Sequence, residues 1–140
     1  MTSKLEIKKV CITNFINQLS GFMGDIMIIV PDNEDIISAK KYVDLLSKAN
    51  PKLLLTYWHN SVTIKYSEQI FNNDFEFALN KDYTDDIKER GNVNDEDSES
   101  ILKLIDNLKH IAKKLNADQK NIIMKYLQNI SKLTQLYFQQ

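Results

Sequence analysis

One apolar stripe constrains the fold of this 140-residue chain more than any other feature. Steps of 3, 4, 3, 4 and 3 residues separate its members, which are Ile12, Phe15, Leu19, Phe22, Ile26 and Ile29. This alternation places large side chains on one face of an α-helix. We therefore predict a helix from about Leu5 to Ile29, which ends there because Pro31 disfavours helical geometry at the residue before it.

Two glycines lie inside this predicted helix, at Gly21 and Gly24. Each costs about 1 kcal/mol relative to alanine in a helix interior. We expect a neighbouring helix to approach closely at both positions.

A second helix is predicted from about Asn33 to Ala49, because the run from Asp32 to Asp35 supplies capping side chains and acids for a helix start. Its predicted stripe is Ile36, Ala39, Val43 and Leu46, widened by Tyr42 and Leu45. The connection to the first helix is short, so the two should pack as antiparallel neighbours.

The stretch KANPKLLLTYWH, residues 48–59, has the pattern of a helix start. Asn50 can cap it, and Pro51 suits the first turn because its missing N–H would have been unpaired there. We expect Trp58 to fill the core or its edge and His59 to lie near the helix end, where it interacts favourably with the dipole. Residues 64–71 favour a further helix over a strand, and residues 75–79 are too few to decide.

The segment 82–99 carries eight acids against Lys88 and Arg90, with few large apolar residues. This composition predicts an acidic flexible linker. Helical spacing resumes beyond it, and Asn116 can cap a last helix. We predict an all-α fold, a small helical bundle with a C-terminal αα-hairpin. Its parts are residues 1–81, the linker 82–99, and residues 100–140, which pack with 1–81 as one domain.

Composition gives little sign of a membrane or an oxidising setting. The net charge is −1, and the lone Cys11 cannot form an internal disulfide. The most apolar run is residues 22–30, which Asp25 interrupts, whereas a membrane span needs about 20 residues. We expect a soluble protein in a reducing, intracellular setting.

Catalytic and cofactor motifs are sparse. Structural zinc needs four Cys or His ligands, and the chain has Cys11, His59 and His110 in total. It has no glycine-rich phosphate-binding motif. We therefore predict no metal, no cofactor and no enzymatic activity. An enzyme would need the side chain of His59 to converge with that of Asp25 or Cys11. We expect instead that the Cys11 thiol is buried and inert. Asp25 should lie at the flank of its helix and reach solvent or a lysine, and His110 should lie on the surface.

Two binding functions stay open. The aromatic region suggests a surface for other proteins, formed by Trp58, His59, Phe75, Phe77 and Tyr83. The alternative is nucleic-acid binding by lysines of the hairpin, chiefly Lys109, Lys113, Lys114, Lys120 and Lys125. These lysines are scattered round two helices, and arginine, the usual reader of bases, is absent there. Protein contacts are therefore the favoured prediction.

The pattern also resembles a family. Its residues include F-x-x-Q-L-x-x-F at 15–22, the KANPK of 48–52, Trp58, the LNKDY of 79–83 and the ending MKYLQNISKLTQLY of 124–137. They are similar to small uncharacterised proteins of nucleocytoplasmic large DNA viruses, the mimivirus-like and phycodnavirus-like giant viruses. The resemblance implies a viral origin, with the host cytoplasm at the viral factory or the virion as the location, and it implies no mechanism. The missing catalytic motifs, the all-helical pattern and the aromatic residues of the 57–83 region then lead us to expect a virion component or an adaptor, with viral proteins, host proteins or further copies of itself as partners. The resemblance implies no catalytic residue.

Overall fold

The structure, a computed structural model, describes residues 3–82 and 106–140. Every regular element in these ranges is helical, so the all-α prediction is confirmed. The helices are α1 Lys4–Ile29, α2 Glu34–Ala49, α3 Pro51–Trp58, a π-helical turn His59–Thr63, α4 Ile64–Phe71, α5 Phe75–Asn80, α6 at residues 106–113 and α7 Ala117–Phe138. The predicted acidic linker, apart from Asp82, and the first residues of the predicted hairpin lie outside the described residues.

The two longest helices, α1 and α7, run antiparallel along each other and form the framework. Near the end of α1, Asp25 accepts a hydrogen bond from the Tyr126 hydroxyl at 2.7 Å. Near its start, the Lys8 ammonium lies 5.2 Å from the centre of the Tyr137 ring. Because residue numbers rise along α1 as they fall along α7, the two chain directions are opposite.

The core lies between α1, α3 and α7. Its buried members are Cys11, Phe15, Leu19, Leu55, Ile130 and Tyr137. The predicted stripe of α1 is therefore largely correct, since Phe15, Leu19 and Ile26 are buried. Cys11 is 1% exposed, as expected of a structural thiol.

Asparagine caps begin three of the helices, as their sequence contexts predict. The Asn33 side chain accepts hydrogen bonds from the backbone N–H groups of Asp35 and Ile36. Asn50 caps α3 with Pro51 in its first turn. Asn116 exchanges side-chain hydrogen bonds with Gln119 in a capping box. These local bonds satisfy amide groups that the helix itself leaves unpaired.

Helix α2 departs from the prediction in the width of its apolar stripe. Ile36 is buried, but Tyr42 and Leu45, predicted to widen the stripe, are 63% and 65% exposed. The reason is that α2 lies at the edge of the bundle, where it packs chiefly against α1 and α3. The outer side of α2 carries an ion pair between Lys40 and Asp44 at 2.7 Å.

The turn between α4 and α5 is held by α7. Asn73 adopts a left-handed backbone conformation with φ of 59°, which asparagine tolerates better than most residues. The Gln128 side chain donates hydrogen bonds to the Ile70 carbonyl at 3.0 Å and to Asn73 Oδ1 at 2.9 Å. The helix favoured over residues 64–71 is confirmed, and residues 75–80 are helical too.

The two glycines of α1 differ from each other. A Cβ at Gly21 would lie 3.3 Å from the Tyr126 hydroxyl oxygen, so α7 does approach closely there. A Cβ at Gly24 would meet nothing within 4 Å, so the expected close approach is wrong at that position.

This contrast makes the glycines a matched pair for a stability test. Both Gly21→Ala and Gly24→Ala gain the same helix propensity of about 1 kcal/mol, but only the methyl group at position 21 must displace Tyr126. We expect Gly24→Ala to raise the free energy of unfolding. The free energy of unfolding of Gly21→Ala should be lower than that of Gly24→Ala by about 1 kcal/mol or more. Urea unfolding of dilute protein measures both, and equal values would contradict the close packing of Tyr126 on α1.

Candidate interaction site

A single π-helical turn interrupts the helical run after Trp58. The Ile64 N–H bonds to the His59 carbonyl, five residues back instead of four. His59 therefore lies at the end of α3, as expected, although the backbone continues through it as a widened turn. Such turns are rare and occur often at functional sites.

The side chains of the π-helical turn meet a polar cluster on α7. His59 Nδ1 lies 3.1 Å from Thr134 Oγ1, and Thr63 Oγ1 lies 2.8 Å from the same oxygen. The Trp58 indole N–H donates to Ser131 Oγ at 3.2 Å. Thr63, Ser131 and Thr134 are all buried.

Counting protons assigns each donor in this cluster. A hydroxyl has one proton to donate and two lone pairs to accept. Thr134 donates its proton to the Ser131 carbonyl at 2.9 Å, so it accepts from both Thr63 and His59. Neutral His59 therefore carries its proton on Nδ1. The cluster is internally satisfied, as an interior packing element requires.

The imidazole of His59 also packs on an aromatic ring. Its centre lies 4.4 Å from that of Phe138, near the end of α7. Partial burial lowers the pKa of His59 from its ordinary value of 6.5, because burial disfavours the charged form.

Asp25 and His59 of the enzyme hypothesis are not brought together. Asp25 is exposed and accepts from Tyr126, not from a lysine, and this bond raises the pKa of the Tyr126 phenol. His59 contacts Thr134, which is eight residues from Tyr126 and so about 12 Å away along α7. Burial raises the pKa of the Cys11 thiol, which makes it a poorer nucleophile.

The aromatic residues predicted to contact other proteins are half-buried in the fold. Trp58 packs against the core. The Phe77 ring lies 6.1 Å from that of Tyr66, and Phe75 lies 5.7 Å from the Lys120 ammonium. Tyr83, the last predicted member, is outside the described residues.

The lysines of the nucleic-acid alternative have several environments. Lys109 donates to the backbone carbonyl of Lys81, and Lys120 covers the Phe75 ring. Lys113, Lys114 and Lys125 are exposed. His110 is exposed on α6, as predicted.

A further surface, which the sequence patterns did not single out, lies across the outer sides of α1 and α7. We call it the α1–α7 face. Its members are Val10, Asn14, Asn17, Gly21, Asp25 and Ile28 on α1, with Ile122, Lys125, Asn129 and Leu136 on α7. The two sides adjoin through the Tyr126 contacts and through a 3.5 Å hydrogen bond from the Asn129 amide to Gln18.

The ends of the α1–α7 face are apolar and open to solvent. Ile28 is 78% exposed and Ile122 51% at one end, and Val10 is 56% and Leu136 43% exposed at the other. A shallow groove of about 180 Å³ lies at the first end, lined by Ile28, Ile122 and their apolar neighbours. The centre of the face is formed by small and uncharged polar side chains.

Charge is almost absent from the α1 side of this face. Between Val10 and Val30 the only charged residue is Asp25, although 26% of the whole chain is charged. Outward positions of a surface helix normally carry charged side chains. The missing charge was the one sequence signal that could have indicated this surface. The inner stripe of α1 already explained why the helix is rich in apolar residues, so the lack of charge on its outer side did not stand out.

Comparisons with protein-family models, with curated proteins and with solved structures gave no match to this chain. None of the helices in the described ranges is long and apolar enough to cross a membrane. Within the same residues, no three His, Cys, Asp or Glu side chains converge as ligands for a metal ion.

The polar cluster predicts strong energetic coupling between Thr63 and Thr134. Each threonine-to-valine substitution keeps the side-chain shape but leaves a buried partner unsatisfied, at a cost of about 1–3 kcal/mol. The double variant loses the shared hydrogen bond only once. Its decrease in the free energy of unfolding should therefore be smaller than the sum of the decreases in the two single variants. A double-mutant cycle by urea unfolding measures this difference. Additive losses would show that the two hydroxyls do not share a bond.

The lowered pKa of His59 predicts a pH-dependent stability. As the pH falls through 6.5, the unfolded chain takes up a proton more readily than the folded protein does. The free energy of unfolding should therefore decline as the pH falls through 6.5 toward the lower pKa that His59 has in the folded protein, and His59→Gln should reduce this decline. His110→Gln is the matched control at an exposed histidine. The same slope in the wild type and His59→Gln would contradict the prediction.

Proposed function

We propose that this protein works without catalysis, by binding another protein through the α1–α7 face. The observation that carries the proposal is the pairing of exposed apolar ends on α1 and α7 with an α1 side that carries a single charge, Asp25. Burying exposed apolar side chains favours association, and the centres of protein interfaces are depleted of charge. The large solvent exposure of Ile28, the highest of these residues, supports the same reading.

The polar cluster at the π-helical turn is better explained as a structural element. Its hydroxyls are buried and hydrogen-bonded within the cluster, and within the described ranges no buried side-chain nitrogen or oxygen lacks a partner. A site for a small substrate would present polar groups toward an open cavity. Trp58 and His59 therefore support the placement of α3 on α7, and the binding function is assigned elsewhere.

The lysines offer less support for nucleic-acid binding than the apolar face offers for protein binding. Single-stranded nucleic acid binds where exposed aromatic rings can stack on bases. Here Phe75 and Phe71 are half-buried and lie under the ammonium groups of Lys120 and Lys132. This arrangement favours packing of the lysine stems on the rings over base stacking.

The biological setting of the proposal comes from the sequence resemblance alone. That resemblance is to small proteins of giant DNA viruses, which would place the chain in a virion or in the cytoplasm of an infected cell, at the viral factory. Its partners would then be viral proteins, host proteins or further copies of the chain, and its role that of a virion component or an adaptor.

Site-specific photo-crosslinking in cells that contain the protein tests the proposed surface. A photoreactive residue placed at Ile28 or Ile122 should form a discrete protein adduct. Placed at Tyr42 or Leu45, which are at least as exposed as Ile122 but lie on α2, it should form none. A nucleic-acid adduct at Lys113 or Lys125 without a protein adduct at Ile28 would contradict the proposal, as would equal adducts at the control positions.

A further inference from the structure

We infer that the partner of the α1–α7 face is a second copy of this chain, joined across a two-fold axis that runs parallel to α1 and α7. The inference rests on the proposed function, because it requires that this face bind protein. In the resulting dimer, α1 of each copy lies on α7 of the other, and the four helices form an antiparallel bundle of the common packing type.

The register between α1 and α7 makes the face suitable for this symmetry. Asp25 is paired with Tyr126, and Gln18 with Asn129. Because the numbers fall along α7 as they rise along α1, Ile28 lies level with Ile122, and Val10 level with Leu136. A two-fold axis parallel to the helices keeps every residue at its own level. Each apolar end therefore meets the same apolar end of the second copy, as an isologous interface requires.

The polar centre is also self-complementary. Asn14, Asn17 and Asn129 carry amide groups, each of which has both donors and acceptors, so amides of the two copies can pair with each other. An asparagine at the contact between helices is a known means of selecting register and the number of chains.

The charges of the face fit a second copy as well. Asp25 is the one charged residue on the α1 side between Val10 and Val30, and Lys125 lies next to Tyr126, the residue paired with Asp25. Both are exposed, and Lys125 has no ion-pair partner within residues 3–82 and 106–140. Because levels are preserved, Asp25 of each copy faces Lys125 of the other, which gives two opposite-charge contacts per dimer.

The size of the face is sufficient for a specific dimer interface. Val10 and Ile28 at its two ends are 18 residues apart on α1, which is about 27 Å, and two packed helices are about 20 Å wide. Their common face is thus about 540 Å² per copy and about 1,100 Å² in total, above the size of about 1,000 Å² that a specific protein interface needs. A lipid surface fits less well, because the polar centre would be buried in it without partners.

Sedimentation equilibrium of the purified full-length protein tests the inference. We expect a dimer of two 16.3 kDa chains to be populated once the protein concentration reaches about 100 μM. Ile28→Lys places a charge at the centre of one apolar end in both copies, and we expect it to weaken association by about tenfold or more. Tyr42→Lys, the matched control at an exposed aromatic residue on α2, should leave association unchanged. Circular dichroism confirms that each variant is folded.

A charge exchange tests the orientation of the two copies. Lys125→Glu or Asp25→Lys alone should weaken association by about threefold to tenfold, since each creates like-charge contacts. The double variant restores opposite charges across the axis and should recover most of the loss. Failure of the double variant to recover association would overturn the proposed axis.

Three further outcomes show whether this inference alone, or the proposed function as well, is wrong. A wild-type protein that stays monomeric, but whose Ile28 photo-adduct contains a different protein, overturns the second-copy inference and leaves the protein-binding function in place. A monomer without any adduct at Ile28 overturns both. A dimer that Tyr42→Lys dissociates and Ile28→Lys does not would place the interface on α2, and this too would overturn the inference.

Discussion

The antiparallel contact between α1 and α7 is the interaction on which the remaining structure depends. It joins segments that are far apart in the chain, since 101 residues separate Asp25 from its hydrogen-bond partner Tyr126. Closing so long a loop costs conformational entropy, although this cost grows only slowly with loop length. The buried side chains of the core, including Phe15 and Ile130, offset it by removing apolar surface from water.

Once α1 and α7 are paired, the shorter helices have defined positions. Helix α3 fits against both, with Leu55 in the core. The following π-helical turn allows His59 and Thr63 to reach one hydroxyl on α7. Because the hydrogen bonds of Thr134 are directional, this cluster specifies the rotation of the α3–α4 segment about its axis more narrowly than apolar contacts alone would. The polar cluster therefore makes the packing of α3 and α4 on α7 more specific.

Local patterns were sufficient to predict most of the helices, and the starts of those with asparagine caps, from the sequence. The caps at Asn33, Asn50 and Asn116 work through residues no more than three positions away, so the sequence contains both partners of each bond. The π-helical turn could not be predicted in this way, because His59 bonds to Thr134, 75 residues later. The outward position of Tyr42 depends on which helices lie beside α2. The spacing of the apolar residues in α2 does not indicate which helices these are.

The candidate site was missed for a related physical reason. Pattern analysis of a helix seeks the face that is apolar, and on α1 the inner stripe satisfied that search. The outer face is recognised first by its lack of charged residues, since Val10 to Val30 contain one charge. It is recognised second by the solvent exposure of its apolar side chains, which only the fold reveals. A surface helix that faces water alone gains solubility from charge at no cost to packing. The absence of lysine from this stretch, in a chain otherwise rich in lysine, is the sequence feature on which the proposed contact with another protein surface rests.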